Sequence, residues 1–198
     1  MLLDFARWDA AALAEAWRVA RPFPHVVLDD VLPVDELVRL CEAVARTPHF
    51  PNTAEFYEMM ASPERPAGLA AFHAALDGPG RDFVARVTGK TPGRASLRSY
   101  VYLAGSYLLP HNDLGSGEAG RVAAWAYYLL PRERSTGGEL ELFDCTLCAG
   151  EIVATAPAAR IAPIANRLVF FDVSPRSLHQ VREVTEGARV SLSGWYYA

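Results

Sequence analysis

The chain has 198 residues and a mass of 21.6 kDa, a length that suits one domain. Hydrophobic residues make up 51% and charged residues 21%, which excludes a disordered tail or a collagen-like repeat. Nineteen basic residues against twenty-three acidic ones leave a net charge of -4, and that balance argues against a dedicated nucleic-acid binder.

In chain order, residues 10–20 read as an alanine-rich helix with Leu13, Ala16, Trp17 and Ala20 on one face. Pro22 and Pro24 close it, and residues 25–30 look like a short strand. Leu32 and Pro33 open a second helix with Leu37, Leu40, Cys41 and Val44 on one side. Pro48 and Pro51 end that element, and helical pieces are expected near residues 54–61 and 66–87. After Gly93 the texture changes to short strands, at residues 97–103, 122–130, 139–143, 152–156, 167–172, 179–184 and 188–197. Strands gathered after a helical stretch suggest a mainly β fold with N-terminal helices, a sandwich or jelly roll with a helical buttress. A single domain over 1–198 is expected, mostly helical over 1–93 and β over 94–198.

Three cysteines form no even framework, a usage that fits a reducing compartment. The first residues carry acids where a signal peptide needs a basic and then an apolar region. The longest apolar run, residues 122–131, is half a membrane span. A cytoplasmic protein with no membrane partner is expected.

The last strand carries more than propensity. Alternation puts Arg189, Ser191, Ser193 and Trp195 on one face, with Val190 and Leu192 on the other. If the polar face points outward, the strand is an ordinary half-exposed one. If it points inward, Arg189 needs a charge partner, because an unpaired buried charge is costly.

His111-Asn112-Asp113 sets an imidazole and a carboxylate two residues apart, on the same side of an extended chain. His179, on a later strand, offers a third ligand. Two histidines and one carboxylate cover one face of an octahedral metal and leave three positions open, the arrangement of non-haem Fe(II) oxygenases. Five histidines and ten aspartates make a chance His-x-Asp expected in roughly a quarter of such chains, so the motif needs context.

The context is an ordered set of motifs. Arg98-Ser-Tyr-Val-Tyr-Leu leads to His111, and Trp125-Ala-Tyr-Tyr128 and Thr136-Gly-Gly-Glu-Leu-Glu-Leu-Phe143 follow Asp113. Asn166-Arg-Leu-Val-Phe-Phe-Asp172 precedes His179, and Arg189 comes ten residues after it. This order closely resembles the prolyl-hydroxylase-like branch of the 2-oxoglutarate and Fe(II)-dependent oxygenases, over residues 97–198.

The resemblance implies a double-stranded β-helix with the metal inside. It implies Fe(II), 2-oxoglutarate and O2 as cofactor and cosubstrates, with succinate and CO2 as co-products. His111, Asp113 and His179 would be the catalytic metal ligands. Arg189 would hold the distal carboxylate of 2-oxoglutarate by a charge-assisted, bidentate pair that lysine makes poorly. Tyr128 and Ser191 would join it, Tyr102 would be a second pocket tyrosine, and Leu140 would wall the pocket. Arg121 falls where relatives can place a substrate-contacting arginine. A retained Asp113 favours hydroxylation, since halogenases of the superfamily replace it with a small residue. The resemblance leaves the prime substrate open among small molecules, peptides and proteins.

Other features read more plainly. His25 is expected to cap a turn or pack structurally, and His49 and His73 to be solvated. Cys145 and Cys148, expected in a strand connection, lack a second cysteine pair and read as structural thiols. Glu139 and Glu141 fall on one face of a strand, expected to be solvated. The glycine-rich residues 115–120 precede a strand rather than a helix, so they are no phosphate loop; a mobile loop over residues 114–120, beside the metal, is expected. Two rival functions remain. A cupin-like metalloenzyme would have no need of Arg189 or Tyr128, and a non-catalytic sensor or binding barrel would have lost a ligand or the arginine.

Overall fold

The computed structural model describes residues 3–114, 120–129 and 135–198. The expected loop over residues 114–120 therefore lies almost wholly outside the described residues.

The N-terminal helices form for local reasons. In α1 (Ala10–Val19) the Asp9 carboxylate accepts hydrogen bonds from the N–H groups of Ala11 and Ala12, at 2.9 and 3.1 Å, satisfying donors that the first turn leaves open. Pro22 and Pro24 prevent its continuation, and the chain enters β1 (His25–Leu28). His25 Nδ1 lies 2.9 Å from the Phe23 carbonyl, the turn-capping one of the two roles expected of it. In α2 (Val34–Arg46), Asp35 and Glu36 sit in the first turn and Arg46 in the last, each the sign the helix dipole favours. Leu37, Leu40 and Val44 are its buried face.

The helical expectation for residues 54–61 is overturned. This stretch belongs to a hairpin of β2 (Phe50–Ala54) and β3 (Tyr57–Ala61), in register from Phe50 opposite Ala61 to Ala54 opposite Tyr57. Tyr57, Met59 and Ala61 are each more buried than Glu58 between them. Pairing with strands far away in sequence overrides the helix propensity of Ala, Glu and Met here. Helix returns where it is expected, in α3 (Ala70–Ala75) and α4 (Arg81–Thr88). Gly89, with φ 71°, closes α4 in the left-handed conformation that glycine adopts without strain.

Among the described residues eleven further strands follow. They are β4 (Arg94–Ala95), β5 (Arg98–Leu103), β6 (Tyr107–His111) and β7 (Arg121–Tyr128). Next come β8 (Thr136–Gly137), β9 (Leu140–Cys148), β10 (Glu151–Ile161) and β11 (Leu168–Asp172). The last are β12 (His179–Val181), β13 (Val184–Glu186) and β14 (Ala188–Tyr197). The main sheet runs β1-β11-β7-β14-β5-β3-β6-β12-β9-β10, antiparallel in every pairing. Curled on itself, it is the mainly β, double-stranded β-helix that was expected. Within it β3 joins β5 to β6, pairing with both.

Strand alternation sorts the side chains into two cores. Trp125, Tyr127, Leu168, Phe170, Leu192 and Tyr196 face the helices, where Trp17 stacks on Phe170 at 5.7 Å between centroids. Ala124, Ala126, Tyr128, Val169 and Phe171, on the opposite faces of the same strands, pack inside the curl with Leu140 and Leu142. The helices thus bury the outside of the sheet and leave its inside for a site. Among the described residues no helix is long and apolar enough to cross a membrane.

Four smaller expectations change. His49 and His73 are half-buried, with Nε2 atoms 3.0 Å from Ser99 Oγ and 2.9 Å from the Ala95 carbonyl. Cys145 and Cys148 lie within β9, one buried and one exposed, not in a connection. Glu141 is 2% exposed. Its Oε1 accepts from Arg160 Nε at 2.6 Å and Arg182 at 3.3 Å, and its Oε2 from Gln180. The two arginine stems cover the carboxylate, so the face that alternation marked as solvated is closed by its own neighbours.

Candidate active site

His111, Asp113 and His179 reach one point by two different routes. His111 ends β6 and His179 opens β12, and the two are direct partners across the ladder. Their rings consequently lie 4.3 Å apart between centroids. Asp113 arrives by a turn. Its φ is 57°, so the chain between His111 and Asp113 is not the extended segment the spacing suggested. Aspartate is among the few side chains that tolerate this region. Arg121 holds the turn, donating to the Asp113 carbonyl at 3.1 Å with the same nitrogen 3.9 Å from Asp113 Oδ1.

The carboxylate divides itself between the two imidazoles. Oδ1 is 3.6 Å from His111 Nε2, and Oδ2 is 3.5 Å from His179 Nε2. One ligand atom from each residue lies within 4.8 Å of the others, a group that could hold a metal ion. Both Nδ1 atoms face the backbone carbonyl two residues earlier, Leu109 O at 2.9 Å and Ser177 O at 2.8 Å. A carbonyl only accepts, so each Nδ1 carries the hydrogen and each Nε2 presents its lone pair to the shared space. Burial, with His111 adding to it, pushes the His179 pKa down to about 4. His179 is thus neutral at neutral pH and ready to ligate.

Deeper in the same cavity is a second polar group. Arg189 is 4% exposed, so the polar face of β14 points inward. Its NH1 donates to Ser191 Oγ at 3.2 Å, and its guanidinium lies 4.7 Å from the Tyr102 ring centre and 5.0 Å from that of Tyr128. Burial raises the Tyr102 pKa, against the opposing pull of Arg189. Arg189 Nε and the Tyr128 hydroxyl are buried without a hydrogen-bond partner among the described residues. Gly138 explains how the arginine stem fits: it has φ 74°, and a Cβ there would meet Arg189 Cδ at 3.0 Å.

His111, Asp113, His179, Arg189 and Tyr102 line one cavity of about 560 Å³, together with Leu140, Phe171, Arg98 and Tyr100. The expected site residues therefore converge, except that Tyr128 and Ser191 join the cavity only through their contacts with Arg189. Arg121 lines the cavity too, but it turns to Asp113 and stacks on Trp195 at 3.8 Å. Sequence reasoning missed Phe171, whose ring meets His179 edge-on at 4.6 Å, and the hairpin residues Asn52, Phe56, Tyr57 and Met59. It missed Arg98 and Tyr100 as well, although their alternation with Tyr102 was a usable signal.

The residues present fit a divalent metal and a dicarboxylate. The donor set is two imidazoles and one carboxylate, which suits Fe(II) with open positions. The unspent Arg189 Nε and Tyr128 hydroxyl are donors with the polarity that an anion's oxygens require.

Residues 96–197 match the family model of the 2OG-Fe(II) oxygenase superfamily. The chain is 31% identical over 202 residues to prolyl 3,4-dihydroxylase OGFOD1 of Ostreococcus tauri, a match covering 89% of this chain and 38% of that protein. It thus spans well under half the length of that relative. Its fold is similar to that of a crystallised Pseudomonas putida prolyl-4-hydroxylase, with a TM-score of 0.72 at 20% identity, covering 96% and 98% of the two chains. A prolyl hydroxylase from Trichoplax adhaerens, solved with a peptide fragment of hypoxia inducible factor, superimposes with a TM-score of 0.68 at 16% identity, over 95% and 88% of the chains.

Proposed function

The chain belongs to the 2OG-Fe(II) oxygenase superfamily, and from that premise we propose that it is a dioxygenase hydroxylating a C–H bond of a residue, proline foremost, within a polypeptide. The observation that carries the reading is the buried pair of Arg189 Nε and Tyr128 hydroxyl, both without a partner among the described residues, with Arg189 lining one cavity with the His111, Asp113 and His179 cluster and Tyr128 against its guanidinium. A cupin-like metalloenzyme has no use for that pair.

In this reading His111, Asp113 and His179 hold Fe(II). Arg189 and Tyr128 bind the far carboxylate of 2-oxoglutarate, Ser191 holds the guanidinium in place, Tyr102 packs on it, and Leu140 walls the chain of the cosubstrate. Iron, 2-oxoglutarate and O2 supply the oxidising power, and succinate and CO2 leave. The protein's part is to bind and orient. The two Nδ1–H···O=C bonds fix the imidazole planes, Arg121 fixes the turn at Asp113, and Phe171 excludes water from one side of His179. The Trichoplax enzyme's peptide complex and the names of the relatives support a polypeptide substrate. A cytoplasmic location is part of the reading, supported by the odd count of three cysteines.

The test is anaerobic addition of 2-oxoglutarate to the Fe(II)-loaded protein. A weak visible charge-transfer band supports the reading, and its absence, with iron still bound, moves the protein to the cupin class.

A further inference from the structure

The cavity has a polar end that iron and 2-oxoglutarate leave unused. β5 presents Arg98, Tyr100 and Tyr102 at alternate positions on the cavity side, opposite Ser193, Ser191 and Arg189 of β14. The ladder therefore runs from the buried Arg189 at one end to Arg98 at the other, where Arg98 is exposed. Tyr100 is half-buried between them, under the charges of Arg98, Asp113 and Arg121.

Charge decides what this end can hold. The cavity is lined by three arginines, 98, 121 and 189, and one carboxylate, Asp113. A divalent iron, Asp113, the 2-oxoglutarate dianion and Arg189 together are electrically neutral. Arg121 is occupied with the Asp113 turn and the Trp195 ring. Arg98 remains, with no carboxylate partner among the described residues. Phe56, Tyr57 and Leu108 supply an apolar lining in the same cavity.

We propose that Arg98 is a specificity-determining residue that selects polypeptides carrying a carboxylate next to the target residue. The inference rests on the polypeptide reading above. A planar guanidinium pairs with a carboxylate through two parallel hydrogen bonds, and the carboxylate comes from an acidic side chain or from a chain end.

The test uses calorimetric binding to the whole chain loaded with Mn(II) and 2-oxoglutarate under nitrogen. The probes are end-blocked proline peptides with Glu, Gln or Lys beside the proline, and the Gln peptide with a free C-terminal carboxylate. The Glu peptide is expected to bind about fivefold tighter than the Gln peptide, the upper range for a partly exposed pair, with Lys weakest. Arg98→Glu should reverse the order, and Arg98→Gln should level it. Tighter binding of the free-terminus peptide than of the Glu peptide identifies a chain end as the source of the carboxylate. Equal affinities, or a Glu preference that survives in Arg98→Glu, overturn the inference and leave the polypeptide reading standing. If no peptide binds while the charge-transfer band is intact, both fall.

Discussion

Arg189 and Tyr128 face each other inside the barrel with unspent donors: the guanidinium lies 5.0 Å from the phenol ring centre, and both the Nε and the hydroxyl are buried without a hydrogen-bond partner among the described residues. A buried charge with donors unspent is costly to the empty protein and is tolerated where a ligand completes it.

Arg189→Met tests that directly. In the ligand-free protein the melting temperature should hold or rise slightly, because an apolar side chain replaces an incompletely paired charge. Affinity for 2-oxoglutarate should fall by about 30-fold or more, since removing one partner of a buried charged pair costs about 2–5 kcal/mol. Iron content should stay at the wild-type level. Unchanged 2-oxoglutarate affinity by titration would remove Arg189 from the cosubstrate site.

Iron binding should be lost in His111→Ala, Asp113→Ala and His179→Ala, with the far-ultraviolet circular dichroism of each unchanged. Asp113→Asn separates charge from backbone, because asparagine tolerates the φ of 57° that alanine adopts with strain. It should keep the metal-free melting temperature and still lose most iron. Metal analysis of the four variants decides, and a full iron complement in any one excludes that residue as a ligand.

Glu141 ties β9 to both of its neighbours, through Arg160 on β10 and Gln180 on β12. Glu141→Leu should cost about 1–3 kcal/mol of stability, the range for breaking hydrogen bonds at a buried site. The larger penalty of a stranded buried charge does not apply, because the Arg160 and Arg182 side chains are 56% and 40% exposed. Since β12 is three residues long and carries His179, iron affinity should fall as well, by about tenfold. Urea unfolding with parallel iron titration measures both, and wild-type values for the two would refute the tie.

Acid should destabilise the metal-free protein in a defined window. The folded pKa of His179 is lowered, from an ordinary 6.5 to about 4. Above 6.5 both folded and unfolded chains hold it neutral, and it contributes nothing to the pH dependence. Between 6.5 and 4 the unfolded chain takes up a proton that the folded chain excludes, so stability falls as pH drops, by on the order of 3 kcal/mol across the window. Denaturant midpoints from pH 7 to 4 should show the slope, and His179→Gln should flatten it. An equal slope in the variant would assign the effect to another group.

Much was legible without coordinates, and the reason lies in the periodicity of the β half. In β14 the alternation of Arg189 and Ser191 with Val190 and Leu192 appears in the chain, and so do the paired Tyr127 and Tyr128. The N-terminal hairpin was illegible because Phe50–Ala54 and Tyr57–Ala61 have little strand propensity of their own. They become strands because β5 and β6 offer open edges to β3.

The sequence by itself determined the ligand types, their order, the two faces of β14 and the helical buttress, because these depend on residue chemistry and on local periods of two and 3.6. It left undecided whether the polar face of β14 looks in or out, since alternation defines two faces and not which of them is buried. Tertiary structure decided that, along with the meeting of His111 and His179, 68 positions apart and neighbours only through the ladder. It also decided the left-handed turn that brings in Asp113 and the closure of Glu141 under two arginine stems. Each of these depends on contacts between strands distant in sequence, and no local pattern records them.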